Sequence, residues 1–188
     1  MKRKPKASAT QIYRLRLELQ YLEPLIWREI EVRAEMTLTD LHRAIQVVMG
    51  WEDYHLWSFE AGGRRFERRG EALAGLGEPA EDAAATATDT VLPEEGGHLI
   101  YTYDFGDDWM VAVSAVHIGF SETGVRYPRC VAGERAGPLE DSGGVPGYET
   151  LLAAHSDPKA PDAKELLEWA GEGWDPDAFD LDRINREL

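Results

Sequence analysis

From Tyr13 to Tyr21 the odd positions read Tyr, Leu, Leu, Leu, Tyr, while Arg14, Arg16, Glu18 and Gln20 fill the even ones. A period of two sends one face into a core and the other into water, so the run predicts a strand. Pro24 interrupts it. Ile26, Ile30 and Val32 then alternate with Trp27, Glu29 and Glu31, which predicts a second strand paired with the first as a hairpin. The period changes at Leu38, where Leu38, Leu41, Ile45, Val48 and Met49 fall on one helical stripe. Thr37 or Thr39 is placed to cap that helix at its start, and Gly50 to end it.

Trp51, Tyr54, Leu56, Trp57 and Phe59 crowd the stretch before Gly62-Gly63, a turn that joins two more short strands. Residues 70–97 carry Glu71, Glu78, Glu81, Asp82, Asp89, Glu94 and Glu95 with no Lys or Arg, and read as a solvated acidic insertion. Alternation resumes at Leu99, Tyr101, Tyr103 and Phe105, and again at Trp109, Val111, Val113 and Ala115. Between them a tight acidic turn has Asp side chains capping backbone N–H groups and Gly106 supplying a positive φ. Tyr127 to Gly147 shows no period and is rich in Gly and Pro, so it reads as one irregular connection. Three helical segments follow, around Tyr148, Leu151 and Leu152, around Ala163, Leu166, Leu167 and Trp169, and from Pro176 to Leu188 with Asp175 as cap. Strands, one helix, strands, then helices is an α+β order, so we expect a mainly antiparallel sheet against one helix with a helical C-terminal region. Leu15, Leu17, Leu41, Ile45, Val48, Tyr101, Tyr103, Val111 and Val113 are expected to share one core.

The 188 residues with 43% hydrophobic content suit a single domain over 11–188, preceded by a disordered basic arm of residues 1–10 that holds Lys2, Arg3, Lys4 and Lys6. The net charge of -15 repels polyphosphates, so nucleic acid is a disfavoured partner. A lone cysteine, Cys130, excludes an intrachain disulfide. With no apolar run long enough to span a bilayer and no signal-peptide pattern, the expected location is the cytoplasm.

Asp104, Asp107 and Asp108 flank one turn and Glu140 and Asp141 lie in the long connection, which makes them candidates for general acid/base work or for a hard cation. The same residue types also serve as turn caps. His42, with Gln46 one helical turn on, and His55 are candidate partners of those carboxylates, although no His-x-x-x-His spacing exists. Arg28, Trp51 and Trp109 are candidate binding residues, with a structural clamp and core packing as the plainer roles. Soft ligands are too few for zinc, so no metal or cofactor is expected.

Pro24-Leu25-Ile26-Trp27-Arg28, Leu41-His42-Arg43-Ala44-Ile45-Gln46, Met49-Gly50-Trp51, His55-Leu56 and Tyr103-Asp104-Phe105-Gly106-Asp107-Asp108-Trp109, in this order and spacing, resemble the plasmid pRiA4b ORF-3-like family. The likeness continues through Tyr127-Pro128, Cys130, Gly133, Glu140-Asp141, Gly143-Gly144, Gly147-Tyr148, Trp169 and Asp175-Pro176 with Phe179. The resemblance implies an α+β, roll-like domain carried on plasmids, in transposon passenger genes and on chromosomes, with no settled activity. Some such relatives are termed transposon passenger TnpR-like proteins, but the nucleophilic Ser beside an Arg cluster and the basic tail of a serine recombinase are missing here. Many relatives carry further cysteines near the Glu140-Asp141 loop and a histidine two residues after the Trp109 position. This chain has Gly137, Ser142 and Val111 there, which removes a thiolate and imidazole cluster. The leading expectation is an interaction or adaptor module that binds a protein partner. A carboxylate and histidine hydrolase or metal-assisted enzyme, and a weak nucleic-acid binder, stand as alternatives.

Overall fold

The structure, a computed structural model, describes residues 10–69 and 80–188. Residues 1–9 of the basic arm, and Glu71 and Glu78 of the acidic insertion, lie outside the described residues. Strands β1 (Gln11–Leu19), β2 (Trp27–Arg33), β3 (Trp57–Ala61), β4 (Arg64–Glu67), β5 (Glu81–Asp82), β6 (His98–Tyr103), β7 (Trp109–Phe120) and β8 (Arg129–Glu134) form one open sheet in the order β5-β4-β3-β6-β7-β1-β2-β8. Only β4 and β5 run parallel. The helices among the described residues are α1 (Leu38–Met49), α2 (Thr88–Val91), α3 (Gly144–Ser156), α4 (Ala163–Ala170) and α5 (Leu181–Glu187). The fold is therefore α+β with a mainly antiparallel sheet, and none of these helices is long and apolar enough to cross a membrane.

The hairpin β1–β2 sets Leu15 opposite Ile30 and Leu17 opposite Arg28. In α1 the Thr37 hydroxyl accepts from the Asp40 N–H at 3.1 Å, and Gly50 closes the helix at φ 80°, where a side chain is disfavoured. The stripe Leu38, Leu41, Ile45, Val48 and Met49 joins the inward residues of β1, β2, β6 and β7 in one core, which contains all nine side chains expected to share it. Burying a residue such as Leu41 or Ile45 contributes about 1.5–3 kcal/mol.

Four local expectations are corrected. Tyr21 does not continue the strand: β1 ends at Leu19, and Tyr21 turns out into solvent at φ 65°. The connection from Tyr127 to Gly147 is not irregular throughout, because its first part is β8, an edge strand whose half-exposed residues leave no clean period. The later part of the acidic insertion is structured, with β5 extending the sheet and Ala83, Thr88 and Leu92 buried. The Thr88 N–H and hydroxyl both donate to the Met36 carbonyl at 2.8 Å, which pins the segment to the entry of α1. The last helix begins at Leu181, not Pro176. Asp175 uses its carboxylate on the Asp177 N–H in a local turn, and Asp180 caps α5 through the Arg183 N–H. That helix covers the free edge of β8, with the Asn185 amide accepting from the Cys130 N–H and donating to the Cys130 carbonyl, each at 2.9 Å.

Candidate functional site

Three loops meet at one end of the sheet: residues 52–56 between α1 and β3, the β6–β7 turn at 104–108, and the segment 136–143 leading to α3. The Asp104 N–H donates to the Leu56 carbonyl at 3.0 Å, Trp51 Nε1 to the Pro138 carbonyl at 3.1 Å, and the Glu52 N–H to Glu140 Oε1 at 2.7 Å. Tyr103, the last residue of β6, accepts from the Tyr54 N–H at 3.1 Å and donates to Glu140 Oε1 at 2.9 Å. Burial and the neighbouring Glu140 carboxylate push its phenol above the usual range. Gly144 sits where only a glycine fits: at φ 66°, a Cβ would lie 2.5 Å from the Asp107 carbonyl.

The Asp107-Asp108 turn and the Glu140-Asp141 loop come together, with the Gly143 N–H donating to Asp107 Oδ2 at 3.1 Å. At the junction His55 Nε2 lies 3.1 Å from Asp141 Oδ1, 3.6 Å from Asp104 Oδ2 and 3.8 Å from Glu140 Oε2. Although the Asp141 oxygen is this near, the buried Nε2 makes no hydrogen bond. One donor atom each from His55, Asp104 and Asp141 fall within 4.8 Å of one another, a spacing and donor set that suit a divalent cation. The positive φ values of the turn belong to Asp104 and Asp108, at 54° and 55°, and not to Gly106. Asp104 is 7% exposed and its Oδ1 accepts from the Gly106 N–H at 2.9 Å, so one oxygen serves the turn and the other faces His55. Asp108 is exposed and takes no part in the contacts at His55.

The contacts of His42 share no group with those of His55. Fully buried and stacked on Trp57 at 4.2 Å, His42 belongs to a closed ring of hydrogen bonds. A carboxylate only accepts, so His42 Nε2 carries the proton given to Asp53 Oδ1 at 2.9 Å, and Nδ1 accepts from Tyr101 Oη at 2.7 Å. Tyr101 accepts from Gln46 Nε2 at 2.9 Å, and Gln46 Oε1 accepts from the Asp53 N–H at 2.9 Å. Burial pulls the His42 imidazole down to about 4, with Asp53 opposing the drop.

The three residues offered for binding lie below the surface. Arg28 is 2% exposed and gives its N–H groups to the carbonyls of Val48, Trp27, Glu134 and Arg135, all at 2.7 Å, with no carboxylate among them. Desolvation lowers its guanidinium to about 10. Arg28 therefore offsets none of the clustered carboxylates, whereas the Gly143 N–H donates to Asp107 and the Gly106 N–H to Asp104. Trp51 stacks on Tyr103 at 4.9 Å, and Trp109 is buried edge-on to Tyr148. Cys130 is likewise buried, and burial raises its thiol.

Exposed apolar residues border the junction. Tyr54 and Leu56 flank His55, and Phe105 follows Asp104. On the Asp141 side a groove of about 600 Å3 between α3 and α4 is lined by Leu151, Leu166 and Trp169, the last 52% exposed. Sequence reasoning missed Tyr103, Glu52 and this groove. The signal for Tyr103 was its place at the end of an inward-facing register, one residue before Asp104.

The chain is 29% identical over 179 residues to an uncharacterised protein, y4hQ, of Sinorhizobium fredii (strain NBRC 101917 / NGR234), spanning 94% of this chain and 90% of that protein. The crystal structure of a protein of unknown function, MM3350 from Methanosarcina mazei Go1, superposes with a TM-score of 0.84 at 36% identity over 95% of this chain and 98% of the other. Residues 11–183 match the plasmid pRiA4b ORF-3-like protein family, whose name is its link to plasmids. With that match and these two relatives of unknown function, the chain belongs to the plasmid pRiA4b ORF-3-like family.

Proposed function

We propose that this chain is a cytoplasmic interaction module of a single domain, and that a protein partner docks on the loop face around His55, Asp104, Glu140 and Asp141. One observation carries the reading. Of the seven exposed large hydrophobic residues among those described, Tyr54, Leu56, Phe105 and Trp169 border these acidic loops. Exposed apolar residues gathered around polar groups mark interaction surfaces, and aromatic residues dominate their binding energy. The charge of -15 favours a basic partner surface over a polyphosphate. Five of the arginines also support this choice. Arg28 is buried, Arg43 is held by Asp40, Arg64 by Glu81, Arg65 by Glu67, and Arg68 lies 3.4 Å from Asp53.

Site-specific photocrosslinking in cells tests the reading. A benzoylphenylalanine at Tyr54, Phe105 or Trp169 is expected to trap a protein of one common mass, and the same probe at Phe120, on the far end of β7, is expected to trap none. Equal yields from Phe120, or no adduct from any position, would sink it. The His55, Asp104 and Asp141 donors within 4.8 Å of one another favour a second reading, metal-assisted hydrolysis. Calorimetric titration with Mn2+ decides it, because uptake lost in Asp104→Asn supports that reading and no heat removes it.

A further inference from the structure

We infer that the groove between α3 and α4 seats a bulky apolar side chain of a partner peptide whose neighbouring Lys or Arg is held by the groove's acidic rim; this rests on the docking reading above. The groove offers about 600 Å3, room for a large aliphatic or aromatic side chain with adjacent backbone. Its apolar lining is Leu151, Pro161, Leu166 and Trp169. Every charged residue that lines it is acidic, namely Asp141, Asp162 and Glu165. A cation entering with the apolar group therefore meets three carboxylates and no basic residue in the groove lining, with Asp141 shared with His55. Asp141 belongs at once to the groove and to the contacts of His55, so groove and loop face are continuous. The half-exposed Trp169 supplies a π face for the same cation.

An apolar groove alone would accept any greasy segment. The carboxylates narrow the class, since an acidic neighbour is repelled by all three and a neutral one leaves their charge uncompensated. The groove is formed by two helices joined by a short connection at 157–162, and Leu151 and the half-buried Leu166 face it from opposite sides. The expected ligand is a short segment, with a Leu, Phe or Trp side chain in the slot and a Lys or Arg one or two residues away.

The probe is a displayed library of random twelve-residue peptides selected on the full chain. Retained peptides are expected to pair Lys or Arg with Leu, Phe or Trp, and a synthetic member to bind in fluorescence anisotropy. Filling the slot by Thr150→Trp, at an exposed position on its rim, should weaken that peptide at least tenfold. Leu166→Asp should do the same, and unchanged circular dichroism and melting temperature would show that neither variant is unfolded. Selection of basic peptides with no apolar preference, together with a neutral Thr150→Trp, overturns the groove assignment and leaves the docking face standing. Selection of acidic peptides, or of none, overturns the inference whatever the crosslinks show. Loss of the crosslinks with retained, groove-dependent peptide binding overturns the wider docking face alone.

Discussion

Replacing Arg28 by Met removes the group that ties three elements together. The guanidinium reaches the Val48 carbonyl in the last turn of α1, where no intrahelical N–H is available, and the Glu134 and Arg135 carbonyls at the exit of β8. Methionine fills much of the volume but donates nothing. Each buried acceptor left unpaired costs about 1–3 kcal/mol, so these three, leaving aside the adjacent Trp27 carbonyl, give roughly 3–9 kcal/mol. Two effects reduce this. Glu134 and Arg135 are partly accessible to water, and the variant no longer buries a charge, whose cost shows in the guanidinium falling to about 10. We expect a net loss of about 3 kcal/mol, at the low end of that range. In urea, with a slope near 2 kcal/mol per molar, the midpoint should fall by about 1.5 M at unchanged slope. Arg28→Lys, which keeps the charge but not the fork, should fall in between. A Met variant within about 1 kcal/mol of the parent, or more stable, would show that charge burial outweighs the four bonds and that Arg28 is not the clamp described.

The His42 ring predicts an acid-labile fold. Its imidazole is lowered from about 6.5 to about 4, so the unfolded chain binds the extra proton first; stability is full above pH 6.5 and is lost as pH falls from there through 4. The loss should be roughly 3 kcal/mol. Urea midpoints in that window should fall less steeply for His42→Gln, and equal slopes would refute the assignment. Gly144→Ala meets the Asp107 carbonyl at 2.5 Å, whereas Gly173→Ala, at φ 82°, meets nothing within 4 Å. The second should cost about 1 kcal/mol from backbone strain and the first at least about twice that. Equal melting temperatures for the two would count against the close approach of turn and loop.

Much of the fold was legible because its elements carry clean periods. The alternation of Leu15, Leu17, Ile30 and Val32, and the stripe through Leu41 and Ile45, each state one buried face, and all of these residues lie in the core. Arg28 was legible in register, since it stands between Ile26 and Ile30 on the inward face of β2, but an arginine there reads as an exception until its four carbonyls are seen. The strand β8 was hidden because a half-exposed edge strand needs no alternation, and α5 because Asp175 and Asp180 are equally good caps on paper. For the site, the carboxylates of two distant loops were chosen from residue type, and the meeting of Asp107 with Gly143 followed the polar character of both. Which histidine joins them was not readable. His42 lies on a helix without aromatic neighbours and His55 in an aromatic run, but neither setting names a partner, and only tertiary packing sends one into the Tyr101 ring and the other to Asp141. The α3–α4 groove depends on how two amphipathic helices are set apart, which no single period encodes.

The docking face is tested most directly by the affinity of the crosslinked partner for matched surface variants. Trp169→Ala and Tyr54→Ala remove exposed aromatics at the acidic loops, whereas Phe120→Ala removes one of similar exposure at the far end of β7. Isothermal titration of the purified partner should give at least a tenfold rise in Kd for the first two, the range of an interface anchor, and less than a twofold change for the third. Equal effects at all three positions, or a loss confined to Phe120→Ala, would contradict the assignment of this face.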